Sequence, residues 1–303
     1  MKRSLVKQGE STMMVSLPTK WIKDNNLVKG EEIDISQLDN NLLISSKPIN
    51  KKTETTITLI GVTESIIRTL ITNAYRSGYD KIKIIYSNEK QYLILNDVLK
   101  TRLIGFDVTK KENEYCLVEN ITEPSEEQFE NIIIKIFYSI NNLIELTKNR
   151  LETGEKNIEY EEIEERIQRY DNFCRRIITK KKLHEKNSEL LWAFLTILIH
   201  AQRELYHLNK YLDKTKIIIK EEKTIKRLIT IFNLLFDGYQ KKDINLLEKI
   251  HEQEKEIIYK DIYSLINSNN KNNVVYFHLG LAVKNVYLSS SPLIGILLSP
   301  ISS

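Results

Sequence analysis

Cysteine is nearly absent. Cys116 and Cys174 are the only two in 303 residues and no C-x-x-C occurs, so neither a disulfide scaffold nor a thiolate metal site is expected. Such usage suits a reducing compartment, and a cytoplasmic location is expected. Glycine is scarce, with nine residues, and neither G-x-x-x-x-G-K-[ST] nor G-x-G-x-x-G occurs. The glycine-lined phosphate cradles of nucleotide-binding enzymes therefore have no support. Long hydrophobic runs are missing too: the stretch from Leu190 to Ile199, with Thr196 inside it, is too short to span a bilayer and reads as a buried helix. The opening MKRSLVKQGE has bases but no apolar run behind them, so it does not read as a signal peptide. The apolar tail SSSPLIGILLSPISS is interrupted by Pro292 and Pro300, and no membrane insertion is expected. No activated nucleophile is visible: the serines of SSSP lack a neighbouring base and the two cysteines lack an electropositive setting. No enzymatic activity and no cofactor are expected.

What is there is ordinary for a folded chain: 41% hydrophobic and 28% charged residues, enough to bury a sizeable core in two or three domains. The net charge is only +4, but its distribution is uneven. Residues 1–29 carry six bases, Lys2, Arg3, Lys7, Lys20, Lys23 and Lys29, against Glu10 and Asp24; Glu31, Glu32, Asp34 and Asp39 follow. A local basic face on a near-neutral protein is the footprint of a small nucleic-acid-binding module.

Periodicity divides the chain into three regimes. Residues 1–48 alternate as strands at Leu5–Val6, Met13–Leu17, Ile33/Ile35 and Leu42–Ile44, with a short helix opened by Pro18 and a turn at Gly30. Pro48 and NKKTET read as a linker. Residues 54–122 read as a small α+β unit: TTITLI, a helix carrying Ile66, Ile67, Leu70, Ile71 and Ala74, the strand KIKII, a helix from Leu93 to Leu103, then FDVTKK and YCLVENI. From 125 onward six apolar stripes at helical spacing fall into two sets of three, 125–213 and 217–303, which reads as a duplicated three-helix bundle.

Residues 7–46, KQGESTMMVSLPTKWIKDNNLVKGEEIDISQLDNNLLISS, resemble the swapped-hairpin DNA-binding fold of the AbrB/SpoVT type, through Gly9, Ser11, Leu17, Pro18, Lys20, Leu27, Lys29, Gly30 and Glu31. The segment AYRSGYDKIKII, the later LIGFDV and the helical remainder are similar to archaeal proteins that join this fold to a PhoU-type phosphate-uptake-regulator domain. The resemblance implies a multidomain α+β chain: an N-terminal swapped-hairpin β-barrel closed by two subunits, a small central α+β domain and a C-terminal all-α pair of three-helix bundles. It also implies a homodimer that binds DNA and regulates phosphate uptake. By matching position the expected DNA-binding residues are Lys2, Arg3, Lys7, Ser11, Thr12, Lys20 and Lys23. Only Arg3 among them has the bidentate fork that reads guanine, so weak base specificity is expected. The alternative is a dimeric scaffold that binds no DNA and whose helical part docks on a partner such as a transporter subunit.

PhoU-type bundles set acid pairs four apart around metal ions, often as Glu-Arg-x-x-Asp-His. Here residues 202–207 read QRELYH, with Gln202 and Tyr206 in the acid positions, and no Asp or Glu occurs from 262 onward. Glu161/Glu165 and Glu252/Glu256 keep the spacing but read as solvated faces, so no metal is expected. His200, Glu204 and His207 share one helix face and read as an exposed polar stripe with an Arg203/His207 pair. Trp21, Trp192 and Phe194 read as core, and Lys180–Lys182 as cations at a helix C-terminus.

Overall fold

A computed structural model describes residues 1–38, 41–46, 52–122, 127–181, 187–220, 223–268 and 272–298. Of the linker read at Pro48 and NKKTET, residues 48–51 lie outside the described residues, whereas Glu54 and Thr55 belong to a strand; Lys182 and Pro300 also lie outside the described residues. The chain divides into two compact units, Met1–Lys52 and Thr53 onward. It is a multidomain α+β protein, mostly helical.

In the first unit β1 (Val6–Gln8) and β2 (Thr12–Met14) form one antiparallel hairpin, and β3 (Asp34–Leu38) and β4 (Asn41–Ser45) another. Helix α1 (Thr19–Asp24) lies between them in sequence. The described residues of one chain form two separate two-stranded sheets and no closed barrel.

The second unit opens with β5 (Glu54–Thr58), α2 (Glu64–Arg76), β6 (Lys81–Ile85), α3 (Glu89–Arg102), β7 (Phe106–Lys111) and β8 (Tyr115–Asn120). Its sheet has the order β5-β6-β8-β7, with β5 and β6 parallel and the other pairs antiparallel. Strand alternation sends Ile57, Ile82, Ile84, Cys116 and Val118 to one buried face, packed with Ile67, Ile71 and Tyr75 of α2 and Leu95, Val98 and Leu99 of α3. The N-terminus of α3 is fastened twice. Asn88 Oδ1 accepts from Gln91 N at 3.0 Å, and Gln91 Nε2 donates to Leu59 O at 2.6 Å.

Six long helical segments follow: α4 (Glu127–Thr153), α5 (Glu159–Lys181), α6 (Ser188–Leu212), α7 (Lys223–Lys241), α8 (Ile244–Lys255) continued by a π-helical stretch (Glu256–Ile262) into α9 (Tyr263–Asn267), and α10 (Asn273–Leu298). They share one hydrophobic core, and α6 with α10 forms its most extensive pairing. Two details depart from the sequence reading. The stripe from Leu246 to Ile266 is not one regular helix. Continued α-helical spacing from Leu247, Ile250 and Glu254 would bring Asp261 inward; the π stretch keeps Ile257 and Ile262 buried and leaves Asp261 to pair with Arg227 and Lys223. Nor does Pro292 end the last helix, which runs through it to Leu298. The hydroxyls of Ser289 and Ser290 donate back to Val286 O and Tyr287 O at 2.7 and 2.6 Å just before the proline. By length and composition α10 is apolar enough to cross a bilayer, but Val275, Leu279, Val283, Val286 and Leu293 are buried in the helical core.

Helix α5 joins the two cores of this unit through a polar seam. Arg176 donates to Tyr75 O and Tyr79 O at 3.2 and 2.8 Å, satisfying carbonyls at the end of α2, and to Asp80 Oδ1 at 2.7 Å. Asp171 accepts from Arg76 and Arg175, and Asn172 links Arg76 Nε to Arg102 O. Arg102 Nη1 reaches Glu164 Oε1 at 3.1 Å.

Candidate nucleic-acid interface

The β1–β2 hairpin turns at Gly9, whose φ of +79° suits a residue without Cβ. Across it Val6 pairs with Met14, Lys7 with Met13 and Gln8 with Thr12. Apolar side chains therefore stand on both faces of the ribbon. The second hairpin sets Ile35 opposite Ile44 and Gln37 opposite Leu42. Between them α1 ends at Asn25, whose side chain accepts from Ser46 Oγ at 2.7 Å, and the chain turns at Asn26 (φ 55°) and Gly30 (φ 96°). No residue of this unit whose side-chain burial is described is buried. Val6 and Met13 are each 56% exposed, Ile35 58% and Leu42 65%.

All seven expected DNA-binding residues are exposed. Lys7, Ser11 and Thr12 sit together on the first hairpin, Lys20 and Lys23 stand three apart on α1, and Lys2 and Arg3 precede β1. None of the five cationic side chains makes a hydrogen bond or ion pair with a described residue. Lys29 belongs with them by the same test, and its place beside Gly30 in the turn was the signal for including it. Trp21, expected in a core, is only half-buried.

The other sequence candidates are placed as follows. Glu161 and Glu165 are exposed on α5; Glu252 is exposed on α8, and Glu256 pairs with Arg227 and Lys260. Gln202 is fully buried, and neither end of its amide has a partner among the described residues. Tyr206 packs on Tyr160 and under the Lys210 ammonium. His200 and His207 are exposed, but the expected Arg203/His207 pair is not formed. His278 of α10, a residue sequence spacing could not link to α6, bonds Glu204 Oε2 through Nδ1 at 2.8 Å and lies 6.3 Å, ring centre to ring centre, from His207. Among the described residues no three His, Cys, Asp or Glu side chains gather as a metal-binding group. Burial pushes the Cys116 thiol up to about 11 and raises the Cys174 thiol well above its ordinary value, so neither is a thiolate at neutral pH. Phe194 is core, whereas Trp192 is half-buried beneath the Arg175 guanidinium, 4.7 Å from its centroid. Lys180 does not cap its helix; its ammonium reaches Asp80 at 2.7 Å.

No family model matches the chain, and no solved structure matches it. Among curated proteins, a 222-residue stretch is 28% identical to Reticulocyte-binding protein 1 of Plasmodium vivax (strain Belem). The match covers 71% of this chain and 7% of that protein, so the chain spans a small fraction of the relative's length and no family is assigned by it.

Proposed function

We propose that this chain is a homodimeric, cytoplasmic DNA-binding regulator of the PhoU type: the first unit closes into an AbrB-like barrel with a second copy, and the helical unit receives a signal tied to phosphate uptake. The observation that carries the reading is the first unit itself. Its two hairpins bury none of the side chains described in them and expose Val6, Met13, Ile35 and Leu42, and residues 1–29 carry six cations, Lys29 included, with no hydrogen-bond or ion-pair partner among the described residues. Isolated two-stranded hairpins are marginal in water, and some 50 residues make a poor core alone. A second copy would cover the apolar faces and double the basic charge presented to phosphates. In this reading Lys2, Arg3, Lys7, Lys20 and Lys23 neutralise backbone phosphates, while Ser11 and Thr12 offer hydroxyl donors. An electrophoretic shift of duplex DNA by the full chain tests it, with a marked weakening in a Lys7/Lys20/Lys23→Ala variant expected; an undiminished shift would remove those residues from the interface.

One observation favours a second reading, a scaffold that docks on a protein partner. Tyr259, Tyr263 and Phe277, near the α9–α10 connection, are 53%, 50% and 53% exposed. Co-purification of a partner that is lost in a Tyr263/Phe277→Ser variant, together with no DNA shift, would support it.

A further inference from the structure

The seam between α5 and the two helices of the α/β portion carries more guanidinium than its acids neutralise. Arg76, Arg102, Arg175 and Arg176 are hydrogen-bonded there to three carboxylates, Asp171, Glu164 and Asp80. A fifth, Arg203 of α6, is exposed and makes no hydrogen bond or ion pair with a described residue. Burial holds the Arg76 guanidinium below the ordinary arginine value; Asp171 pulls the other way, while the nearby charges of Arg175, Arg203 and Arg102 lower it further. Donors are also left over. Arg76 uses Nε and Nη2, and Arg102 uses only Nη1, of five N–H groups each. On α5, four residues after Glu164 and three before Asp171, Gln168 is 8% exposed and its buried Nε2 has no acceptor. A buried amide donor left unsatisfied on the same helix face as the carboxylates that anchor Arg102 and Arg76 is costly unless an acceptor arrives.

We propose that this seam is a binding site for a small phosphate-class oxyanion, held by Arg203 and by the unused donors of Arg76, Arg102 and Gln168. Planar guanidinium forks match tetrahedral oxyanions in bidentate fashion, and an anion here would neutralise surplus positive charge while satisfying the Gln168 amide. Because α2, α3, α5 and α6 all supply residues, occupancy would stiffen the connection between the α/β sheet and the helical core.

The test is isothermal titration of the full chain with sodium phosphate against sodium chloride of matched ionic strength, in the wild type, in Arg203→Gln and in the Lys7/Lys20/Lys23→Ala variant. Arg203 has no hydrogen-bond or ion-pair partner among the described residues, so its variant keeps the wild-type melting temperature without phosphate. Saturable phosphate binding, weakened tenfold or more in Arg203→Gln and unchanged in the lysine variant, is expected. The site is overturned if phosphate and chloride behave alike, if Arg203→Gln binds as well as wild type, or if only the lysine variant loses binding. A fall in duplex DNA affinity in Arg203→Gln, with no binding of free phosphate, would also overturn it and assign these arginines to a nucleic-acid surface instead.

Discussion

Asp171 is 1% exposed and receives Arg76 Nη2 at 3.1 Å and Arg175 Nε at 2.9 Å. Removing it would leave two guanidiniums without the carboxylate they share. Asp171→Ala is therefore expected to lower unfolding free energy by about 3 kcal/mol, measured by urea titration. Asp80 supplies a pH dependence. Burial pushes its carboxyl up, but the Lys180 ammonium, the Thr53 N–H and Arg176 outweigh that and hold it below the ordinary value of 3.8. The carboxylate form is thus favoured in the folded state, so its contribution is fully present above the unfolded value and is lost as pH falls below 3.8 through the folded one. Asp80→Asn should destabilise clearly at pH 7, and the gap from wild type should narrow at pH 3; a constant gap would contradict the assignment. Little of this seam was legible in sequence, because Arg76, Asp80, Asp171 and Arg176 meet across some 90 residues of chain and carry no spacing signature.

Among the elements, the strands and helices of the α/β portion and the six helical stripes were readable, since each has an apolar face that repeats at period two or near 3.6. What failed to show was where a helix departs from that period. The π stretch at 256–262 is invisible to a 3.6 pattern until Asp261 is seen to lie outside the core and Ile262 within it. Pro292 read as a break because proline lacks the N–H that continues a helix, and nothing in the local sequence shows that α10 runs through it to Leu298. Close packing between α7 and α8 makes a sharper claim. A Cβ on Gly238 would stand 2.5 Å from Cδ2 of Leu247, itself 1% exposed. Gly238→Ala should cost about 1–3 kcal/mol in thermal or urea unfolding, although alanine is the better helix former. A neutral or stabilising result would mean that Leu247 has room to move.

For the whole molecule the open matter is what covers the first unit. If the exposed apolar residues of its hairpins are simply surface, Met13→Glu with Ile35→Glu should change stability by no more than roughly 0.5 kcal/mol and leave the mass unchanged. If a second copy interlocks there, light scattering should give a dimer for the wild type and a monomer for the double variant. The basic side chains were legible as a cluster in sequence, but the sequence alone could not show that they form no ion pair with an acid among the described residues. The most direct test of the central claim is fluorescence anisotropy of a labelled duplex DNA pool titrated with the full chain at several salt concentrations. Binding that weakens steeply with salt is expected, with a log–log slope that shrinks by about five when Lys7, Lys20 and Lys23 are replaced by alanine, three contacts per chain and six per dimer. No binding at low salt, or binding whose salt dependence is untouched by the replacement, would contradict it.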